Sequence, residues 1–243
     1  MGLQGWAFGR PEDRLWNKSD YDGMEYGVVA WHNHAMTALD LAFVLFDYAA
    51  VAVFGATGAL AAARRKHDII TFAFFAAVTG VGGGTLRDLL IDAPVFWVAR
   101  PGYLIVCLAA AVAVWLLGRR AWRMNLLLWL DAIGMAAYCV VGAAKALSLG
   151  VHPVSAVVMG VLTACFGGVI RDVLANEPSV LLRREIYVTA ALLGAGVFVA
   201  LASFGVDRLL ASSAGMVVAF AVRGGALKFG WSLPGFPGSS EPG

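Results

Sequence analysis

Apolar stretches long enough to cross a bilayer recur along this chain with only brief polar interruptions, over residues 41–63, 69–90, 103–117, 126–149, 153–174, 186–204 and 209–222. A helix needs about 20 consecutive apolar residues to span the hydrocarbon core, and only the third and the last stretch fall well short of that. Transmembrane barrel strands are about ten residues long and alternate in polarity, whereas these stretches are apolar all round. The expected fold is therefore an all-α integral membrane protein with seven transmembrane helices. Composition agrees, since the 243 residues are 60% apolar and 14% charged, where soluble domains carry about 25% charge. Cys107, Cys139 and Cys165 all lie inside apolar stretches and read as small buried side chains, not as a disulfide framework or a metal cluster.

Residues 1–39 are polar and mixed, lack the apolar region of a secretory signal, and are expected to form a tail. His32 and His34 within it are two residues apart, a spacing that does not put both on one helical face, so a solvated tail is the simpler reading. Lys+Arg number 18 against 16 Asp+Glu, too balanced for a nucleic-acid binder; what informs is where the basic residues fall. Arg64, Arg65, Lys66, Arg119, Arg120, Arg123, Arg183, Arg184, Arg223 and Lys228 lie on one side if loops one, three and five share a face with the C-terminus. Arg100 and Arg208 alone lie close to helix ends on the other side, because Arg10, Arg14 and Lys18 are far upstream. The positive-inside rule then places the C-terminus in the cytoplasm and the N-terminal tail outside. Trp97, Tyr103, Trp122 and Tyr187, near helix ends, read as interface anchors.

The chain also repeats itself without gaps at an offset of 84. Asp47 falls on Asp131, Gly58 on Gly142, Thr79 on Thr163, Gly83 and Gly84 on Gly167 and Gly168, Arg87 and Asp88 on Arg171 and Asp172, and Tyr103 on Tyr187. Each copy holds three apolar segments, an odd number, so the second copy enters the membrane from the opposite face. The expected arrangement is two inverted three-helix repeats, residues 40–118 and 124–204, plus a seventh helix over 209–225 and a cytoplasmic tail over 226–243. Ligand and ion pathways in such folds lie where the repeats meet.

The second segment of each repeat carries a glycine run, Gly82, Gly83 and Gly84 in one and Gly167 and Gly168 in the other. Glycine destabilises a helix by about 1 kcal/mol relative to alanine, so such a run favours a kink or an unwound turn whose carbonyls would face a passing cation. The competing reading is that small residues simply let helices approach. Beside the glycines stand Arg87, Asp88, Arg171 and Asp172, and ionisable residues at membrane depth are functional candidates by default. Equal depth pairs Asp47 with Arg87 and Asp131 with Arg171, two charge groups flanking the midplane that either gate a cation path or fix helix register. Lys145 lies on the segment that carries Asp131 and is either a snorkelling cation or a pore residue.

The run 82–88, Gly-Gly-Gly-Thr-Leu-Arg-Asp, followed by Pro94-Val-Phe-Trp, and its counterpart 167–172, Gly-Gly-Val-Ile-Arg-Asp, resemble the motifs of prokaryotic trimeric intracellular cation (TRIC) channels. The resemblance covers about residues 40–225. It implies a homotrimer in the inner membrane, a potassium-permeable pore inside each protomer, and second and fifth helices kinked at the glycines. It also implies an extracytoplasmic N-terminus, in agreement with the charges. Bacterial relatives also bear a glycine-transporter label, which leaves a secondary transporter of a small amino acid as the alternative. Lipids are the remaining expected partners. No nucleophile, His–carboxylate set or metal-ligand cluster lies within the spans, so neither an enzyme nor a cofactor is expected.

Overall fold

The computed structural model describes residues 38–117, 124–179 and 186–233. His32, His34, Arg10, Arg14, Lys18, Arg119, Arg120, Trp122, Arg123, Arg183 and Arg184 lie outside the described residues. Two units divide the chain, Met1–Leu45 and Phe46–Gly243; of the first, only the opening turns of a helix from Ala38 are described.

Eight helices and no strand occur among the described residues: α1 (Ala38–Arg64), α2 (Ile69–Leu90), α3 (Phe96–Ala99), α4 (Gly102–Leu117), α5 (Met124–Ser148), α6 (Pro153–Leu174), α7 (Val188–Ser203) and α8 (Arg208–Phe229). Seven correspond to the seven apolar segments, and α3 is a single additional turn in the polar link between α2 and α4. Five are long and apolar enough to cross a membrane, namely 44–64, 69–90, 125–148, 153–174 and 208–229. Helices α4 and α7 are apolar but have 16 residues each, about 24 Å at 1.5 Å per residue. The last helix runs to Phe229, beyond the boundary near 225 that the apolar run suggested, because Arg223 and Lys228 continue the helix where a hydropathy reading ends it.

Local signals set the helix ends in pairs related by the same shift of 84. Asp68 caps α2, its carboxylate accepting from the Thr71 N–H at 2.8 Å, and that bond holds its pKa below the usual carboxylate range. The equivalent His152 caps α6, its Nδ1 accepting from the Val154 N–H at 3.3 Å. At the other ends the chain turns through left-handed residues, Lys66 and Gly150 after α1 and α5, Asp92 and Asn176 after α2 and α6. The first pair closes with His67 N–H to Ala62 O and Val151 N–H to Ala146 O, the second with Ala93 N–H to Asp88 O and Glu177 N–H to Asp172 O. These are the six-to-one bonds of a Schellman stop.

Packing follows small residues, as expected where lipid removes the hydrophobic drive between helices. Helix α2 packs on α6 and α4, α5 on α6, α7 and α8, and α7 on α6 and α8. A Cβ on Gly58 would stand 2.3 Å from Phe75 O and 2.6 Å from Thr79 Oγ1, and one on the equivalent Gly142 would stand 2.5 Å from Thr163 Oγ1. Outside the spans, Arg64 and Arg65 reach Glu177 at 3.5 and 3.3 Å, and Arg65 donates to Asn176 O at 2.7 Å. That strap ties the end of α1 to the end of α6.

Candidate functional site: two intramembrane ion clusters about a helix crossing

The glycine runs do not interrupt their helices. Helix α2 is continuous from Ile69 to Leu90 and α6 from Pro153 to Leu174, so the unwound turn expected from the glycines is absent and the backbone there stays in the helical ladder. The glycines instead allow close approach. A Cβ on Gly83 would lie 2.2 Å from Thr163 O, and one on Gly167 would lie 2.5 Å from Thr79 O. Position 83 thus meets 163 while 79 meets 167, a pairing that makes the two helices antiparallel at their crossing. Gly84 leaves room for the Phe96 ring, 2.6 Å from a Cβ there, and Gly82 faces the tip of Ile170. Gly168 is less crowded, with the Tyr187 hydroxyl 3.1 Å and Asp131 Oδ1 3.4 Å from a Cβ.

An antiparallel crossing sends the ends of α2 and α6, and the Arg-Asp pair on each, in opposite directions. The two ion clusters differ in detail. In the first, Asp88 is fully buried; its Oδ1 accepts from Arg87 Nε and Nη2 at 2.8 and 2.7 Å and from Lys145 Nζ at 2.8 Å. Its Oδ2 accepts from the Phe96 N–H at 2.9 Å. Asp47 accepts from the Tyr103 hydroxyl. The expected Asp47–Arg87 pair is therefore corrected: Arg87 turns to its own neighbour, because a fork on Asp88 is within reach and Tyr103 already serves Asp47. Lys145 does not snorkel; it joins the second repeat to the first.

In the second cluster the expected pair is present. Arg171 Nη1 donates to Asp131 Oδ1 at 2.5 Å and to Thr57 Oγ1 at 3.2 Å, while Nε donates to Asp172 Oδ1 at 2.9 Å. Arg171 and Asp131 are each 1% exposed and Asp172 is 7% exposed. Burial at this depth is tolerated only because each charge meets an opposite one.

Several participants escaped the sequence reading. Tyr103 and Tyr187 are 3% and 1% exposed, so they are cluster residues and not interface anchors; their coincidence under the shift of 84 was the available signal. Thr57 has valine as its equivalent at 141, and only the fold brings it to Arg171. Arg223, expected among the cytoplasmic charges, is fully buried. Its guanidinium lies 5.0 Å from the centre of the Tyr187 ring, and Nη1 donates to Ile186 O at 3.4 Å.

Helices apolar enough to span a bilayer, packed through small residues and carrying paired charges at membrane depth, define a multi-pass integral membrane protein whose polar interior concentrates where α2 crosses α6. A family model described as "Glycine transporter" matches it twice, over residues 44–119 and 128–203; both bounds of the second match equal those of the first plus 84. The chain belongs to that family, which includes the UPF0126 membrane proteins and the TRIC channels. It is 40% identical over 205 residues to a UPF0126 membrane protein of Vibrio cholerae, covering 82% of this chain and 85% of the relative. It is also 40% identical over 195 residues to the UPF0126 inner membrane protein YadS of Escherichia coli, covering 78% and 94%. Among solved structures, the TRIC trimeric intracellular cation channel orthologue from Rhodobacter sphaeroides is 49% identical, with a TM-score of 0.74 over 77% of this chain and 98% of that one. A second TRIC cation channel structure is 29% identical, also at a TM-score of 0.74, over 82% and 99%.

Proposed function

We propose that the protein is a potassium-permeable cation channel of the inner membrane, assembled as a homotrimer with one pore in each protomer. The pore runs along α2 and α6 between two inverted three-helix repeats, and α8 completes seven crossings. The observation that carries this reading is the antiparallel crossing at Gly83 and Gly167, flanked in opposite directions by clusters of paired charge. Likeness to TRIC structures at up to 49% identity supports the channel class. Gly82, Gly83, Gly84, Gly167 and Gly168 keep the pathway narrow by drawing α2 and α6 together. Asp47, Arg87, Asp88 and Lys145 restrain one mouth, and Asp131, Arg171 and Asp172 the other. A cation entering either mouth meets carboxylates already neutralised by fixed cations, so conduction requires that pairing to loosen.

The test is single-channel recording of purified protein in planar bilayers under a potassium gradient. Discrete openings that carry more than about a million ions per second, far above the median turnover of about 10 per second for protein catalysts, are the expected result. The family model's description favours one alternative, a carrier of glycine; saturable glycine flux in vesicles without discrete openings would establish it instead.

A further inference from the structure

The two tyrosines related by the shift of 84 each donate to the aspartate of their own repeat, Tyr103 to Asp47 and Tyr187 to Asp131, a carboxylate that Arg171 bonds as well. What backs each ring differs. Tyr48 stacks on Tyr103 at 4.2 Å between centroids, but the equivalent of Tyr48 is Ala132, which brings no ring. The Arg223 guanidinium lies over Tyr187 instead, 5.0 Å from the ring centre, and its Nη1 donates to Ile186 O at 3.4 Å. Arg223 belongs to α8, which lies beyond the stretch that repeats. The same part of α8 meets α5: Phe220 lies 6.1 Å from Trp129 between ring centres, and a Cβ on Gly224 would stand 3.2 Å from the Trp129 ring. Residues 220–224 therefore touch both α5, where Asp131 stands two residues beyond Trp129, and the start of α7, which Tyr187 caps.

We propose that Arg223 is a positioning residue of the second cluster, holding the Tyr187 ring so that its hydroxyl meets Asp131, and that α8 thereby controls that mouth. A cation is drawn to an aromatic face most strongly where both are desolvated, and here Arg223 is fully buried and Tyr187 is 1% exposed. A positive charge beside a phenol also favours negative charge developing on its oxygen, which makes the hydroxyl a better donor to a carboxylate. The first cluster has a neutral ring in this place, so a shift of α8 acts on the second cluster alone. Control of a mouth rests on the channel reading; the path from Arg223 through Tyr187 to Asp131 does not.

Thermal unfolding of the purified protein in detergent reads that path without any current. Arg223→Gln should lower the melting temperature by about 4 to 8 °C, and Arg223→Lys, which keeps a cation over the ring, by less than half as much. Equal losses would show that the charge is irrelevant and overturn the proposal. A double-mutant cycle of Arg223→Gln with Asp131→Asn should depart from additivity by more than about 2 °C, and the departure should vanish in Tyr187→Phe, which keeps the ring and removes the hydroxyl. Additive changes in the native background, or coupling that survives Tyr187→Phe, each overturn the path. Should Asp131→Asn not fold, Asp131→Asn with Arg171→Gln replaces it, since that pair strands no charge; should Arg223→Gln not fold, the cycle is run with Arg223→Lys. In bilayers, Arg223→Gln should change open probability severalfold at unchanged single-channel conductance, and unaltered gating refutes control by α8. Native protein that passes no current sinks the channel reading alone, and the melting cycle still decides the path.

Discussion

Arg87 and Arg171 stand at equivalent positions and choose different carboxylates, and the choice follows from what else each aspartate can find. Asp47 has a tyrosine hydroxyl, and Asp88 has a lysine and a backbone N–H besides its arginine. Asp131 depends on Arg171, which bonds it at 2.5 Å. Removing one partner of a buried pair is destabilising by about 3 to 5 kcal/mol, because the other charge is stranded, so single substitutions cannot separate pairing from general damage. A double-mutant cycle does. With Asp131→Asn and Arg171→Gln, we expect the double variant to be more stable than the sum of its singles by over about 1 kcal/mol. With Asp47→Asn and Arg87→Gln, the same cycle should give coupling below about 0.5 kcal/mol. Denaturation in detergent measures both, and equal coupling in the two repeats would mean that Arg87 also serves Asp47.

At the scale of the element, Gly83 and Gly167 are explained by α2 meeting α6 and not by a broken helix. Valine at Gly83 would drive a Cβ to 2.2 Å from Thr163 O, and at Gly167 to 2.5 Å from Thr79 O; neither obstacle is a flexible side chain that could swing away. Gly83→Val and Gly167→Val should each yield protein that fails to elute as a folded oligomer in size-exclusion chromatography, with flux lost as a consequence. The control is Gly196, inside α7, where a Cβ would meet nothing within 4 Å. Gly196→Ala should fold normally and gain about 0.5 to 1 kcal/mol from helix propensity. Folded oligomer with blocked current in the two valine variants would instead put these glycines on the permeation path without a packing role.

For the whole molecule, orientation is the property the charges address. Arg223 no longer counts toward it, being buried on α8, but Arg64, Arg65, Lys66 and Lys228 remain at helix ends, where the positive-inside rule expects the cytoplasm. A fluorescent protein fused to the C-terminus should therefore fold and fluoresce in cells, while alkaline phosphatase at the same position should stay inactive. Active phosphatase there would invert the topology and exchange the two mouths.

What the sequence determined by itself was everything that depends on periodicity and local chemistry. The bounds of α2 and α6, 69–90 and 153–174, were legible because Asp68 and Pro153 start those helices and the apolar run stops where polar residues return. The internal repeat was legible because Asp, Arg, Thr and Tyr coincide in one register, but equal depth, which paired Asp131 with Arg171 correctly, paired Asp47 with Arg87 wrongly. Only the tertiary structure decided which neighbour each side chain met. Thr57 reaches Arg171 across 114 positions and Lys145 reaches Asp88 across 57, contacts set by how the repeats pack and not by any spacing. Glycine carries no sign in sequence that its missing Cβ permits a close crossing; the carbonyl of Thr163 against Gly83 shows that it does here. Buried tyrosine and arginine look in sequence like their interfacial counterparts, because membrane depth follows from a residue's neighbours across the bundle, which hydropathy along a single segment does not see.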